Sequence, residues 1–234
     1  MRQIVVDTET TGLETAQGHR IIEIGCVELI DRKRTDNHFH HYICPERAID
    51  AGAFDVHGIS AAFLADKPKF AEIANDFVNY VRDAEVIIHN APFDVGFINH
   101  ELKRLGKRWG RFEDYCSVLD SLALAREKHP GQRNSLDALC SRYSVDNSGR
   151  ALHGALLDAE ILSDVYLVIT GGQTLLALDS VAVERRAREG RTSGQRGRLK
   201  VVRASAEELD AHHQRLDQME EASGEQCLFR KLDA

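Results

Sequence analysis

The segment Ile4-Val5-Val6-Asp7-Thr8-Glu9 decides the fold, because an apolar run leads directly into two acidic residues. Three β-branched or branched apolar residues in a row predict a short buried strand that ends at Asp7. Side chains two apart in a strand share a face, so Asp7 and Glu9 are expected to converge at the strand end, with Thr8 turned away. Such carboxylates suit Mg²⁺ or Mn²⁺ rather than Zn²⁺. The alternative is an ordinary turn whose Asp and Thr satisfy nearby backbone groups.

Outward from this strand, the hydrophobic pattern predicts strands first and then alternating strands and helices. Two further strands joined by short connections, over 21–30 and 39–43, predict an antiparallel meander. The order of elements indicates an α/β fold, a mixed sheet flanked by helices. The later predicted elements are strands over 86–88 and 115–118 and helices over 70–81, 92–105, 121–126, 135–143 and 155–169.

The composition changes near residue 184. Between residues 184 and 203 the chain carries many arginines, three glycines and almost no apolar residue before Leu199, which predicts a flexible basic linker. A strand over 199–202 and a helix over 206–221 are predicted after it.

Overall composition narrows the class of protein. The 234 residues are 43% hydrophobic and 29% charged, as in an ordinary globular protein. The net charge of −7 does not suggest a simple basic nucleic-acid reader, but it is compatible with a metal-dependent nuclease. The five cysteines form no C-x-x-C pair, so neither a disulfide framework nor a zinc site is indicated. With no signal peptide or apolar run of about 18 residues, a soluble cytoplasmic protein is expected.

Two further acids and a histidine are candidates for a site. Asp94 falls in the first turn of a predicted helix, where complementing the helix dipole is its ordinary role. Asp158 lies among apolar residues of the late helix, so it is paired, metal-bound or on the solvent face. On a continuous helix His153 would lie roughly 140° away from it. The two can share a site only if His153 precedes the helix, which Gly154 permits; otherwise His153 is a surface loop residue.

Together these residues form an ordered set. The segments VVDTETTG (5–12), HNAPFD (89–94) and HGALLDAE (153–160) resemble the three motifs of 3′→5′ exonucleases that use three Asp, one Glu and a His. RIIEIGCVELI, FDVHGI, RNSLDALC and TGGQT further resemble the family of proofreading subunits of bacterial DNA polymerase III. The resemblance implies an RNase H-like fold with a five-stranded mixed sheet and a C-terminal extension, and a 3′→5′ DNA exonuclease activity.

The same resemblance implies roles for single residues. Asp7 would bridge two divalent cations, Mg²⁺ or Mn²⁺; Glu9 and Asp158 would complete one metal site, Asp94 would support the metals, and His153 would be the general base. Gly52 stands where the closest relatives are expected to carry an acid, so no acidic contact is predicted there. The implied substrate contacts, whose alternative is an ordinary turn for the first four, are Thr10, Thr11, Gly12, Leu13, His57 and Asn90.

The resemblance also divides the chain. It implies an exonuclease domain over 1–180, a linker over 181–198 that touches DNA or is merely solvated, and a segment over 199–234 that docks on the polymerase III alpha subunit. Within the first region, Gln173, Leu176 and Leu178 resemble a sliding-clamp-binding peptide over 173–178, the alternative being a helix-capping loop. A small accessory subunit is a further candidate partner.

Two other functions compete with proofreading. A free-standing RNA-trimming exonuclease would share the motifs but would not need the linker, the clamp-like peptide or the docking tail. A non-catalytic adaptor would work through the tail alone, and the presence of all five catalytic residue types argues against it.

Overall fold

Five strands form one mixed sheet in the order β3-β2-β1-β4-β5 in the computed structural model, which describes residues 1–150, 152–171 and 204–224. Strands β1 to β3 pair antiparallel, whereas β4 pairs parallel with both β1 and β5. The predicted meander and mixed sheet are therefore confirmed. The strands are β1 (Arg2–Thr10), β2 (Ile21–Ile30), β3 (Lys33–Tyr42), β4 (Glu85–Ile88) and β5 (Ser117–Asp120).

The helices of the first unit, α1 to α7, flank this sheet, and the predicted helices are present with bounds that differ by at most a few residues. Two short helices between β3 and the third helix were not predicted, since the first contains Gly52 and the second is a single turn. The helices are α1 (Ala51–His57), α2 (Ala61–Leu64), α3 (Phe70–Val81), α4 (Ala91–Leu105), α5 (Ser121–Lys128), α6 (Leu136–Tyr143), α7 (Ala155–Thr170) and α8 (Ala206–Ser223).

Three predicted strand bounds were wrong, each because pairing rather than hydrophobicity sets the length. β1 does not end at Asp7 but continues to Thr10, since β2 pairs along it. β3 begins at Lys33 instead of Phe39, because polar residues are tolerated on an exposed edge strand. β5 covers 117–120 rather than 115–118, since its parallel register matches Val86 with Val118.

The alternation of side chains along β1 divides the core into two layers. Ile4 and Val6 pack with residues of α3 and α4, whereas Val5 packs with residues of α6 and α7. Each large apolar side chain buried in these layers contributes roughly 1.5–3 kcal/mol. Asp7 and Glu9 have the parity of Val5 and therefore belong to the α7 side, whereas Thr8 belongs to the α4 side.

Gly25 of β2 fixes how closely α7 approaches the sheet. A Cβ added to this glycine would lie only 2.2 Å from the backbone nitrogen of Leu156. The first turn of α7 therefore rests directly on the strand. Because Gly25 pairs with Asp7 in the β1–β2 register, this contact also brings the start of α7 beside the acidic end of β1.

The chain divides into two units, Met1–Leu176 and Ala177–Ala234. In the second unit, α8 begins with a capping box in which Ser205 and Glu208 cap each other's backbone. The clamp-like peptide 173–178, the linker 181–198 and the strand over 199–202 lie outside the described residues. Of the described helices, none has both the length and the apolar character that a bilayer span requires.

Candidate active site

One cleft is lined by all five of the residues predicted to act on a phosphodiester: Asp7, Glu9, Asp94, His153 and Asp158. They come from β1, the first turn of α4, the first turn of α7 and the segment just before α7, so the sheet and two helices hold them in one place. Ligand atoms of Glu9, His153 and Asp158 lie within 4.8 Å of one another. These three residues could therefore bind a common metal ion.

Asp94 reaches the cleft from the other face of the sheet. It lies in the first turn of α4, is 3% exposed, and its Oδ1 accepts a hydrogen bond of 2.7 Å from Thr8 Oγ1. Thr8 does point away from Asp7 and Glu9, as predicted, but it is not outside the site, because it holds Asp94. A helix-dipole role alone would not explain a carboxylate buried this deeply.

His153 and Asp158 meet because the helix starts between them. α7 begins at Ala155 with Gly154 as its N-cap, so His153 precedes the helix, as their sharing a site required. The backbone nitrogen of His153 donates to the carbonyl of Val56 in α1. Its ring Nδ1 lies 3.3 Å from Asp158 Oδ2, and the side chain is 43% exposed. The backbone of His153 is thus held by α1, while its imidazole ring is accessible from the cleft.

Three carboxyl groups of the cleft, those of Asp7, Glu9 and Asp94, have raised pKa values. Burial, followed by repulsion from Asp94, Glu9 and Asp158, raises the pKa of Asp7 well above its ordinary value. Burial raises the pKa of Glu9 to about 8, with the charge of Asp158 as the next cause. Burial likewise raises the pKa of Asp94 to about 7. A divalent cation would relieve this repulsion, and carboxylate oxygens with an imidazole are donors that fit such an ion.

Arg150 is a part of the site that the sequence analysis missed. Its Nε and Nη2 donate to the two oxygens of Asp158 at 2.5 and 2.6 Å, and Nη1 donates to Asp137 at 2.6 Å. Nη2 also lies 2.9 Å from His153 Nδ1. The sequence feature that could have revealed it is a basic residue three positions before the candidate histidine, in a site whose other candidate residues are acidic.

A second recess adjoins the cleft and shares Thr8, Glu9 and Phe93 with it. Leu13 is 80% exposed at this recess, an unusual position for a leucine. Phe93 was also missed, although it lies between Pro92 and Asp94 in a quoted motif. The predicted substrate residues that line the recess are Thr10, Gly12, Leu13 and His57.

The turn after β1 is tied down internally. Thr10 Oγ1 donates to the carbonyl of Gly12 at 2.7 Å. Thr11 does not line the recess, contrary to expectation: it is fully buried and its hydroxyl bonds His19 Nδ1 and the Arg20 nitrogen. A Cβ on Gly12 would lie 2.3 Å from the His19 ring, so packing inside the protein already requires glycine here.

The two remaining predicted contacts lie in different places, His57 in the recess and Asn90 in the cleft. His57, the last residue of α1, is buried in the recess, and its Nδ1 accepts from the backbone nitrogen of Ile59 at 2.9 Å. Burial lowers the pKa of His57. Asn90 lines the cleft as the N-cap of α4, with a left-handed φ of 69° that suits asparagine. Gly52 lines the recess near His57.

Comparison with known proteins agrees with this geometry. A family model described as Exonuclease matches residues 4–166. The chain belongs to the exonuclease family. It is 52% identical to the DNA polymerase III subunit epsilon of Salmonella typhimurium (strain LT2) and 50% identical to that of Escherichia coli (strain K12), in both cases over 98% of this chain and 97% of the relative.

A solved structure supports the fold. The structure of exonuclease X in complex with 5′ overhanging duplex DNA has a TM-score of 0.56 and 29% identity, covering 74% of this chain and 94% of that one. The predicted RNase H-like fold, the predicted family and the predicted 3′→5′ DNA exonuclease activity are confirmed by these matches and by the observed sheet.

Proposed function

We propose that this exonuclease is the proofreading subunit of a DNA polymerase III, removing mismatched 3′-terminal nucleotides from DNA as 5′-monophosphates. The observation that carries the proposal is the single cleft in which four carboxylates and a histidine from distant parts of the chain meet. Relatives named DNA polymerase III subunit epsilon, aligned over nearly the whole length of both chains, support the assignment to a replicase.

Two divalent cations, Mg²⁺ or Mn²⁺, would be held by Asp7, Glu9, Asp94 and Asp158, since these ions prefer oxygen ligands. When bound, such ions lower the pKa of a coordinated water and stabilise charge on the attacking and leaving oxygens. Asp7, whose carboxyl group interacts with those of Asp94, Glu9 and Asp158, would be a ligand of both ions. Thr8 positions Asp94 through the 2.7 Å hydrogen bond between their side chains.

His153 is the proposed general base. Its partly exposed ring beside Asp158 can take a proton from an attacking water, and imidazole is the side chain that most often does this in enzymes. The hydrogen bond from its backbone to Val56 keeps the residue at the mouth of the cleft.

The adjoining recess would receive the terminal nucleotide. Exposed Leu13 and the ring of Phe93 offer apolar surface for a base, while His57 offers a ring nitrogen deep in the recess. Asn90 on the cleft side would contact the phosphate or sugar. DNA is proposed over RNA because exonuclease X, at 29% identity, is described with duplex DNA.

The rest of the chain is proposed to hold the enzyme in the replicase. The family match ends at residue 166, while the similarity to the epsilon subunits covers 98% of the chain, so the later residues belong to the same group of proteins. We assign Gln173, Leu176 and Leu178 to clamp binding, 181–198 to a linker, and 199–234 to docking on the alpha subunit. A small accessory subunit is a further proposed partner. A replicase subunit works in the cytoplasm, which is the proposed location.

The deciding experiment follows degradation of a 3′-labelled DNA primer carrying a terminal mismatch, with Mg²⁺, by the full chain and by Asp7→Asn. The proposal expects stepwise release of 5′-monophosphates by the natural protein only. Faster cleavage of an RNA of the same sequence would favour the RNA-trimming alternative. No cleavage of either polymer, with normal binding of the alpha subunit, would favour the adaptor.

A further inference from the structure

The guanidinium of Arg150 fills the space around Asp158. Two of its nitrogens grip both carboxylate oxygens at 2.5 and 2.6 Å, the two-pronged geometry that arginine forms best. Asp158 is 3% exposed and Arg150 8% exposed at their side chains, so solvent screens this pair weakly. Both oxygens of Asp158 therefore face an arginine, although Asp158 is also a proposed metal ligand.

The same guanidinium also occupies the ring nitrogen Nδ1 of His153. Arginine can only donate, so the contact of 2.9 Å from Nη2 makes Nδ1 of His153 an acceptor. A neutral imidazole whose Nδ1 accepts carries its proton on Nε2. Neither nitrogen can then take a proton from water while Arg150 stays in place.

Arg150 is also held from outside the cleft. Nη1 donates to Asp137 of α6, whose side chain is 63% exposed. The contact with Asp137 would keep Arg150 bound to the protein after its contacts with Asp158 are broken. The two carboxylates that Arg150 contacts thus differ in burial, with Asp158 3% exposed and Asp137 63% exposed.

We propose that Arg150 is an internal counter-cation that competes with the divalent ion for Asp158, and that its displacement by the ion frees His153 to act. This inference rests on the proposed metal site. Arg150 is a positioning residue in this account, since it acts on Asp158 and His153. Arg150 stabilises the acidic cluster when no metal ion is bound, and it lowers the affinity of the cluster for the ion.

The test is a calorimetric titration of the full-length protein with Mn²⁺ in the absence of DNA. Arg150→Gln removes the competitor, and we expect it to bind Mn²⁺ about tenfold more tightly, which corresponds to about 1.4 kcal/mol. Arg150→Lys keeps the charge but loses the two-pronged grip, so its affinity should lie between those of Arg150→Gln and the natural protein. If Arg150→Gln fails to fold, the Lys variant alone carries the test.

Arg142→Gln is the matched control, because Arg142 lies on α6 with Asp137 and instead donates to Asn134 and to the carbonyl of Arg133. It should leave Mn²⁺ affinity unchanged. A melting curve gives a second readout. In EDTA, Arg150→Gln should have a lower melting temperature than the natural protein. On addition of Mn²⁺, the melting temperature of Arg150→Gln should rise by more than that of the natural protein.

Three outcomes separate the inference from the proposed function. Unchanged or weaker Mn²⁺ binding by folded Arg150→Gln, in a protein that otherwise binds the ion, overturns only the inference. Equal losses of melting temperature with and without Mn²⁺ would also overturn it, since they indicate a purely structural role. Failure of the natural protein and of Arg150→Gln alike to bind Mn²⁺ overturns the metal site itself.

Discussion

Two regions of this molecule bury charged side chains, and they do so in opposite ways. Between β2 and α4, Arg20 donates to both oxygens of Glu101 at 2.6 and 2.7 Å and to the carbonyl of Pro45. In the cleft, Asp7, Glu9, Asp94 and Asp158 lie together, and Arg150 pairs with Asp158. The first region is balanced and ties a helix to a strand. The second has an excess of negative charge, which is useful only if cations arrive.

Asp7→Asn should produce the largest effect, since it removes a ligand from the unbalanced region without changing its shape. We expect kcat to fall about 10³-fold or more, because a metal's contribution of several kcal/mol is lost. The melting temperature in EDTA should stay the same or rise, because one repelling charge is gone. A primer-degradation assay and a melting curve measure the two. Normal turnover by Asp7→Asn would contradict the assignment.

His153→Ala tests the only non-acidic member of the proposed catalytic set. Loss of a general base lowers kcat by about 10²–10⁴. Because the side chain is 43% exposed, the free energy of unfolding should hardly change. Single-turnover rates of the Mn²⁺-loaded variant are the measurement. His129→Ala, at a histidine that instead contacts Tyr143, is the control and should retain activity.

Glu101→Gln breaks the balanced region and should affect stability instead of catalysis. Removing one partner of a buried ion pair costs about 3–5 kcal/mol. Chemical unfolding should show this loss, while turnover per folded molecule stays near normal. The control is Glu46→Gln, whose partner Lys69 is half exposed, and it should cost far less stability, because solvent screens an exposed ion pair. A large loss of activity in folded Glu101→Gln would show that the two regions are not separable.

The smallest effect is a dependence of stability on pH. Folding raises the pKa of Glu9 from 4.5 to about 8 and that of Asp94 from 3.8 to about 7. The folded state therefore binds protons more tightly, and the stability this gives is present at pH values below the unfolded pKa values and lost as pH rises toward about 8. In EDTA the melting temperature should fall between pH about 5 and 8.

Glu9→Gln should flatten that fall, whereas Glu127→Gln, an exposed change of equal charge on α5, should not. Saturating Mn²⁺ should reduce or reverse it, because the ion replaces the protons. A melting temperature in EDTA that rises over this range would mean that the carboxylates are not crowded in solution.

Local periodicity was enough to predict the framework of the site. Alternation along a strand placed Asp7 and Glu9 on one face, and Gly154 permitted the start of α7 after His153 that the structure has. These features depend on residues a few positions apart, so a single sequence reveals them.

Contacts between distant residues were beyond local periodicity. Thr8 reaches Asp94 only because β1 and α4 pack together, 86 positions apart in sequence. Arg150 sits in a loop, where no period predicts a direction. The clamp-like peptide and the linker stay predictions, since both lie outside the described residues.

The most direct measurement is anomalous X-ray scattering from a crystal of the protein soaked in Mn²⁺. The account predicts manganese in the cleft, within about 2 Å of oxygens of Asp7 and its neighbouring carboxylates, with the guanidinium of Arg150 away from Asp158. Manganese bound only elsewhere, or a cleft without manganese at saturating concentration, would contradict the claim that these carboxylates gather to hold divalent ions.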